Sequence, residues 1–552
     1  MQALRTTASV ALAASVLLTA TGCTSGSSGT SDAPAAPKLT TTTPAATGAL
    51  DNVNWNLPMG EPTTLDPARV GDYSPSTVES NLCDPLLRLK ADYSVAPGLA
   101  SSWDQPDATT LVLNLRSGVK FWDGRTMTPQ DVVASLQRQR DPRTQSVNIT
   151  LFASVKSIAA TGAHQVTVRF TKPDVLFLKA LANGFGAVGE ASYVKKAGAS
   201  YGTAKGGLMC TGPFELASWK PGESITVRRN DAYWDTALKP KAKQVTFKFV
   251  TDGSTLAGAL LSGQIDGSYE ISSAAAKTLR SSSAGTVYYG PSAQTNYLTA
   301  TSPDSPLADP KIVRALSLVL DRDALVKNVY DGAAQKLKTF VPPFVWQKAE
   351  GSSVYSKGYD ALPAVPAVDV DKAKKLLGQA TSKKRTLSVA IPAGDQQSLQ
   401  TLTFLQAGAK KIGLKVVIKQ LQPTQMSGLF YDASLRKGLD ATMVMGYVEI
   451  PEALSYAQLL TASDSLFNWT KYHNDKVTAL LGEAQSTLDA TKRADLFTRA
   501  QALYTKDLPL VPIASPYERM FLNKRISGAP ASFAYINMPW AAYLGATGGA
   551  TS

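Results

Sequence analysis

Two periods of apolar residues alternate along the chain. In residues 109–121, TTLVLNLRSGVKF, Leu111, Leu113 and Leu115 share one face and Val112 and Asn114 the other. Gly118 interrupts and Val119-Lys120-Phe121 resumes, so the pattern predicts two short strands around a turn. Asp123-Gly124 is a tight-turn dipeptide. Thr128, Pro129 and Asp131 stand at N-cap, N1 and N3 of a helix start close to a capping box, and Val132, Val133 and Leu136 follow at helical spacing. The stretch FWDGRTMTPQDVVASL (121–136) therefore reads as strand, turn and capped helix, with Trp122 packed on the turn. Nothing in it needs a substrate.

Further on, Asp309 precedes Pro310 at N1, and Ile312, Val313, Leu316, Val319 and Leu320 make one apolar helix face. A second helix runs from Ala324 to Tyr330, with Gly332 as its stop. TLSVAI (386–391), LQTLTFLQAGAKKI (399–412) and LKVVIKQL (414–421) read as strand, helix and strand, a βαβ unit with a parallel pair. Residues 475–507 read as a helical hairpin and LPLVPIA (508–514) as a returning apolar strand. No internal repeat is visible.

The N-terminus reads as an address. Arg5 gives a positive start, VALAASVLL (10–18) an apolar run too short to span a membrane, and Ala20-Thr21-Gly22-Cys23 the form of a bacterial lipobox. Residues 1–22 are then a lipoprotein signal peptide and Cys23 the lipidated first residue of the mature chain; a plain secretory signal with a chance cysteine is the alternative. The Ser/Thr/Pro/Ala/Gly segment that follows has almost no bulky apolar residue, so 23–50 is expected to be a flexible tether. Two other cysteines remain, Cys83 and Cys210, and in an exported chain they are expected to pair.

At 552 residues the chain is too long for one ordinary domain. Its net charge of +13 raises nucleic acid as a partner, but the basic residues are dispersed and form no recognition motif, so anionic lipid or an anionic wall is the expected neighbour. Enzyme chemistry finds little support. The two histidines, His164 and His473, read as turn or surface residues, and no HExxH, GxSxG, P-loop or CxxC occurs. Ser192 and Lys195 fit an SxxK pattern without its KTG partner. No catalytic residue, metal site or cofactor is expected.

Six segments in register carry a resemblance: EPTTLDPA (61–68), LCDPLLRLKADYSVAPGLASSWD (82–104), LNLRSGVKFWDGRTMTPQDVVASLQR (113–138), CTGPFELASWKPGESITVRRNDAYW (210–234), LSGQIDGS (261–268) and DPKIVRALSLVLDRDALVKNVYDG (309–332). Together they resemble the peptide/nickel-type extracellular solute-binding proteins of ABC importers, over nearly all of 51–515. The resemblance implies an α/β, two-lobed periplasmic-binding-protein-like fold with an inserted third domain and a hinge. Lobe I would take 51–82, 205–298 and 508–552, the inserted domain 83–204 and lobe II 299–507. The chain would cross between lobes near Thr295–Ala300 and near Lys506–Pro512, and ligand would lie in the cleft between them.

A buried peptide ammonium needs a carboxylate. In relatives an Asp before "DP" supplies it; here Pro451 follows Ile450. Glu449 and Glu452 bracket the site, and either can replace the missing acid, Glu449 being preferred; alternatively both face solvent on an ordinary loop. Trp346, Tyr447 and Trp469 lie where relatives place cleft residues, Tyr73 follows the TLDP element, and Asn296 lies at the first crossing. The implied function is capture of an oligopeptide, or a solute of similar size, at the outer face of the membrane and delivery to an ABC permease. The rivals are the same fold with another ligand (a metal chelate, an oligosaccharide, a glycolipid-like solute or an opine) and a lipid-anchored structural or regulatory protein whose cleft is silent. Two histidines argue against capture of a bare transition metal.

Overall fold

A computed structural model describes residues 36–548, apart from Asp464 and Leu508. Three sheets organise the described chain. The largest has seven strands in the order Gly285–Gly290, Glu518–Asn523, Gly267–Ser268, Leu50–Asn56, Ala242–Lys248, Ser224–Arg229 and Phe214–Lys220. The second has six, in the order Ala334–Lys336, Val511–Pro516, Gln294–Ala300, Ala441–Tyr447, Thr386–Pro392 and Lys415–Leu421. The third has four, in the order Ala100–Asp107, Thr110–Leu115, Gln165–Phe170 and Val155–Gly162. The first two sheets are the cores of the two lobes, and the third, inserted within lobe I, has an apolar core of its own.

Local patterns explain most elements. Leu111, Leu113 and Leu115 are buried on one face of Thr110–Leu115. The helix Pro129–Arg138 starts as its capping residues require, with Asp131 accepting from the Thr128 amide at 2.9 Å and from its hydroxyl at 2.7 Å. The expected second strand at Val119–Phe121 shrinks to a single bridge between Lys120 and Thr126. Trp122 goes further than its turn: its amide donates to the Cys210 carbonyl and its indole to that of Gly212. The βαβ unit forms as Thr386–Pro392, Gln396–Lys411 and Lys415–Leu421, with the strands parallel. Cys83 and Cys210 are bonded, with Cα atoms 5.0 Å apart across 127 residues, and both are buried.

Two boundaries differ from expectation. Gln294 already pairs with Tyr447, so the first crossing lies at 291–293 rather than near Thr295–Ala300. Val511–Pro516 pairs with Gln294–Ala300 and Ala334–Lys336, while Glu518–Asn523 pairs inside the seven-stranded sheet, so the return crossing falls on Tyr517. Residues 511–516 thus belong to lobe II, because an apolar strand buried along its whole length is stable only between two neighbours. The tether is also shorter than its composition suggests. The Thr40 amide donates to Tyr289 O, Thr43 Oγ1 to Ala529 O and the Ala546 amide to Gly48 O, so the chain is held on lobe I from about Leu39. Backbone hydrogen bonds and small side chains do this without bulky apolar residues. Cys23 and the signal segment lie outside the described residues. No helix among the described residues is long and apolar enough to cross a membrane.

Candidate ligand cleft

The lobes meet across an aromatic seam. Tyr73 opens the helix Tyr73–Glu79 of lobe I, its amide held by Asp72 Oδ1 at 2.8 Å. Its ring meets Tyr447, the last residue of Ala441–Tyr447 in lobe II, edge-on at 4.9 Å. Phe533, returning from the C-terminal part of lobe I, lies 5.9 Å from Tyr73 and 5.4 Å from Tyr447. The inserted region joins the seam through Tyr93, whose hydroxyl donates to Val448 O at 2.6 Å and whose ring lies 5.0 Å from Phe344 of lobe II. Close approach beneath Tyr447 depends on Gly446: a Cβ there would stand 2.0 Å from the Tyr456 hydroxyl, which itself donates to Tyr297 Oη at 3.2 Å.

Glu449 follows on this loop. It is half-buried and has no hydrogen-bond or ion-pair partner among the described residues. Burial pushes its carboxyl up to about 7. Its charge is felt by Glu79 of lobe I, by Tyr93 of the inserted region and by Tyr431 and Tyr447 of lobe II, so it stands where all three parts meet. Ile450 packs against the core of the inserted sheet, a contact that an aspartate at this position would not make.

The hinge lies beside the seam. The Glu270 amide donates to Glu518 Oε1 at 3.1 Å, and Gln294, the first residue of the lobe II strand, donates its side-chain amide to Glu270 Oε1. Glu518 is the first residue after the return crossing. Burial, and then the charge of Glu270, push its carboxyl well above the usual carboxylate range. Arg519 bridges the lobes, donating to Gln397 Oε1 at 2.7 Å.

Comparison with known proteins places this architecture. Residues 94–468 match the model of bacterial extracellular solute-binding proteins, family 5 (middle). The chain belongs to this family. Its members bind solutes and deliver them to ABC transporters from outside the cytoplasm; they are binding proteins and not enzymes. The glutathione-binding protein GsiB of Escherichia coli K12 is 25% identical over 458 residues, 82% of this chain and 86% of that one. In fold, the chain is similar to AgaA of Agrobacterium tumefaciens R10, solved with agropinic acid (TM-score 0.78, 23% identity, 90% of this chain and 98% of that one). It is also similar to AppA of Bacillus subtilis, solved with a nonapeptide (TM-score 0.78, 19% identity, 91% and 99%).

Within this family 5 fold, the residues singled out from sequence separate into groups. Tyr73, Tyr447 and Glu449 come together at the lobe boundary. Glu452 does not join them. It is 5% exposed, accepts from Tyr355 Oη at 2.8 Å and pairs with Arg493 at 3.2 Å, so it serves the interior of lobe II. Trp346 is interior too, stacked on Tyr355 at 5.6 Å. Asn296 is fully buried, donating to Tyr330 Oη at 3.0 Å. Trp469 packs against Phe430 and under the Arg436 guanidinium, and its indole N–H has no acceptor among the described residues. His164 and His473 are exposed, and the Ser192 hydroxyl donates to Glu190. The sequence reading missed Tyr93, Phe533 and Glu79. Tyr93 carried a faint signal, the ADYS turn, where it adopts φ +68°. Phe533 and Glu79 carried none, because their places depend on packing between distant segments.

Proposed function

We propose that this chain captures an oligopeptide, or a solute of similar size with a free amino group, and hands it to an ABC permease while tethered through a lipid on Cys23. The observation that carries the ligand reading is Glu449: a carboxyl without a partner among the described residues at the seam of two lobes, within electrostatic reach of Tyr93 and Tyr447. A desolvated ammonium is its chemical complement. The glutathione-binding relative and the nonapeptide bound to AppA favour the peptide reading, while agropinic acid bound to AgaA keeps a small non-peptide solute as the rival. Native mass spectrometry of co-purified ligand separates the two. Calorimetric titration with trialanine and N-acetyl-trialanine tests the clamp. Glu449→Gln should weaken the free-amino peptide by about tenfold or more and leave the acetylated one unchanged. Equal binding of both peptides to both proteins would remove Glu449 from that role.

A further inference from the structure

Tyr93 stands at the turn of a hairpin in the inserted region, between the paired strands Leu87–Leu89 and Val95–Pro97. The turn closes without its side chain. Lys90 N donates to Ser94 O and Tyr93 N to Lys90 O, both at 2.8 Å, and Asp92 Oδ1 accepts from the Ser94 amide and hydroxyl at 3.1 and 2.6 Å. The Tyr93 φ of +68° suits glycine, and among the described non-glycine residues with positive φ it is the one aromatic. A bulky residue keeps such a backbone only where its surroundings hold it there. What holds Tyr93 is lobe II. It is 4% exposed, its ring lies 5.0 Å from Phe344, and its hydroxyl donates to Val448 O at 2.6 Å. Among the described residues this is the one hydrogen bond between the inserted region and lobe II.

The inserted region is otherwise fastened to lobe I. Cys83 is bonded to Cys210, Arg138 donates to both oxygens of Asp66 at 2.7 and 2.5 Å, and Asp84 accepts from Thr211 and Trp234 at 3.0 and 2.9 Å. A hinge motion that carries lobe II away from lobe I therefore parts Tyr93 from Val448. The Val448 peptide is gripped from both sides: its N–H donates to Ala293 O, at the first crossing, at 3.0 Å, and its oxygen accepts from Tyr93. Glu449 follows directly, and Ile450 beyond it packs against the core of the inserted sheet. The acid thus sits between two contacts that exist only while the inserted region meets lobe II. We propose that Tyr93 is a positioning residue for the ligand: its hydroxyl, donated across the lobe boundary, holds the Glu449 loop in place and sets how long the closed lobes keep a solute. This rests on reading the inter-lobe cleft as the ligand site, and it adds the residue that governs release.

The test is stopped-flow binding of trialanine to the intact chain, wild type against Tyr93→Phe, which keeps the ring and the backbone and removes only the donor. Val448 is fully buried, so its carbonyl is then left without a partner. Dissociation should speed up by roughly two- to tenfold, with the association rate unchanged. Tyr93→Gly, which suits the φ and removes ring and donor together, should release the peptide at least as fast. A residue that only held its own turn would lower the urea midpoint and leave both rates alone. Equal dissociation rates, or a change confined to association, would overturn the proposal. If trialanine does not bind the wild type, the peptide reading fails on its own and hydrogen exchange of the free protein decides. Tyr93→Phe should speed exchange in residues 446–452 of lobe II and leave the turn at 90–94 as protected as before. Equal exchange in 446–452, or a change only in 90–94, would refute the cross-lobe role.

Discussion

Glu449 and Glu452 are three residues apart, yet the structure assigns them opposite costs on mutation. Glu452 is buried with Arg493 Nε at 3.2 Å and Tyr355 Oη at 2.8 Å. Both members of the ion pair are more than nine-tenths buried, so solvent screens the pair weakly. Glu452→Gln keeps the shape and an acceptor for Tyr355 but leaves the Arg493 guanidinium without its charge partner. Removing one partner of a buried pair destabilises by roughly 3–5 kcal/mol. Arg493 also donates to the carbonyls of Thr487 and Leu488, which soften the loss, so the lower end of that range is expected. Glu449→Gln removes a carboxyl that no cation stabilises and whose burial already disfavours its charge. Its effect on stability should be near zero or slightly favourable.

Equilibrium denaturation in urea, followed by circular dichroism, reads both variants against wild type. Because three sheets and two lobes do not guarantee a two-state transition, the comparison is of midpoints on one curve shape. The double variant Glu452→Gln/Arg493→Met should recover much of the loss, since neither charge then remains buried alone. If Glu452→Gln shifts the midpoint no more than Glu449→Gln does, the two glutamates are not distinguished by partnership and the reasoning fails.

Three other expectations follow from the same geometry. Cys83→Ser should cost up to about 4–5 kcal/mol in the chain-entropy account of a loop of 127 residues, read as a lower urea midpoint that matches wild type under reducing conditions. Cys23→Ser should move the mature protein from the membrane fraction to the soluble one, whereas equal retention would remove the lipid anchor. Glu270 and Glu518 both have carboxyls raised by burial in the closed lobes, so closure retains a proton that a hydrated, open hinge would lose above the ordinary carboxylate value of about 4.3. Closure is therefore most favoured at acid pH and should weaken as pH rises, seen as a larger radius of gyration in solution scattering, with Glu518→Gln flattening the dependence.

How much of this could be read beforehand follows from the range of each interaction. The capped helix at Thr128–Asp131, the strand face of Leu111, Leu113 and Leu115 and the βαβ unit at 386–421 are local, and their spacing in sequence is their cause. The disulfide was legible for a different reason, since export leaves two thiols with one obvious use. The extent of the tether was not, because composition predicts whether a segment can bury a core, not whether its backbone finds partners at Tyr289, Ala529 and Ala546. Glu449 and Glu452 looked alike in sequence, and the difference between them is Arg493, some forty positions later, and Tyr355, nearly a hundred before. Glu79 was invisible because every residue of its seven-residue helix is buried, so no polar face marks it out.

The charge of the whole chain misleads about its cleft. A net +13 suggests an anionic partner, yet the groups that crowd the lobe boundary are carboxylic: Asp72, Glu79, Glu270, Glu449 and Glu518. Arg519, whose charge reaches Glu270 and Glu518, is engaged with Ile271 O, Ser273 and Gln397. The two facts do not conflict, because they act over different distances. Exposed lysines and arginines are screened within about 8 Å at physiological ionic strength, so their sum describes what the outer surface meets. At the lobe boundary Glu79 and Glu518 are buried and Glu270 and Glu449 half-buried, so their charges act on their neighbours at a lower effective dielectric than surface charges do. On the proposed reading of the cleft, the ligand's charge answers to a few acids near the seam, and the surplus of basic residues outside can serve the anionic envelope without deciding what the cleft holds.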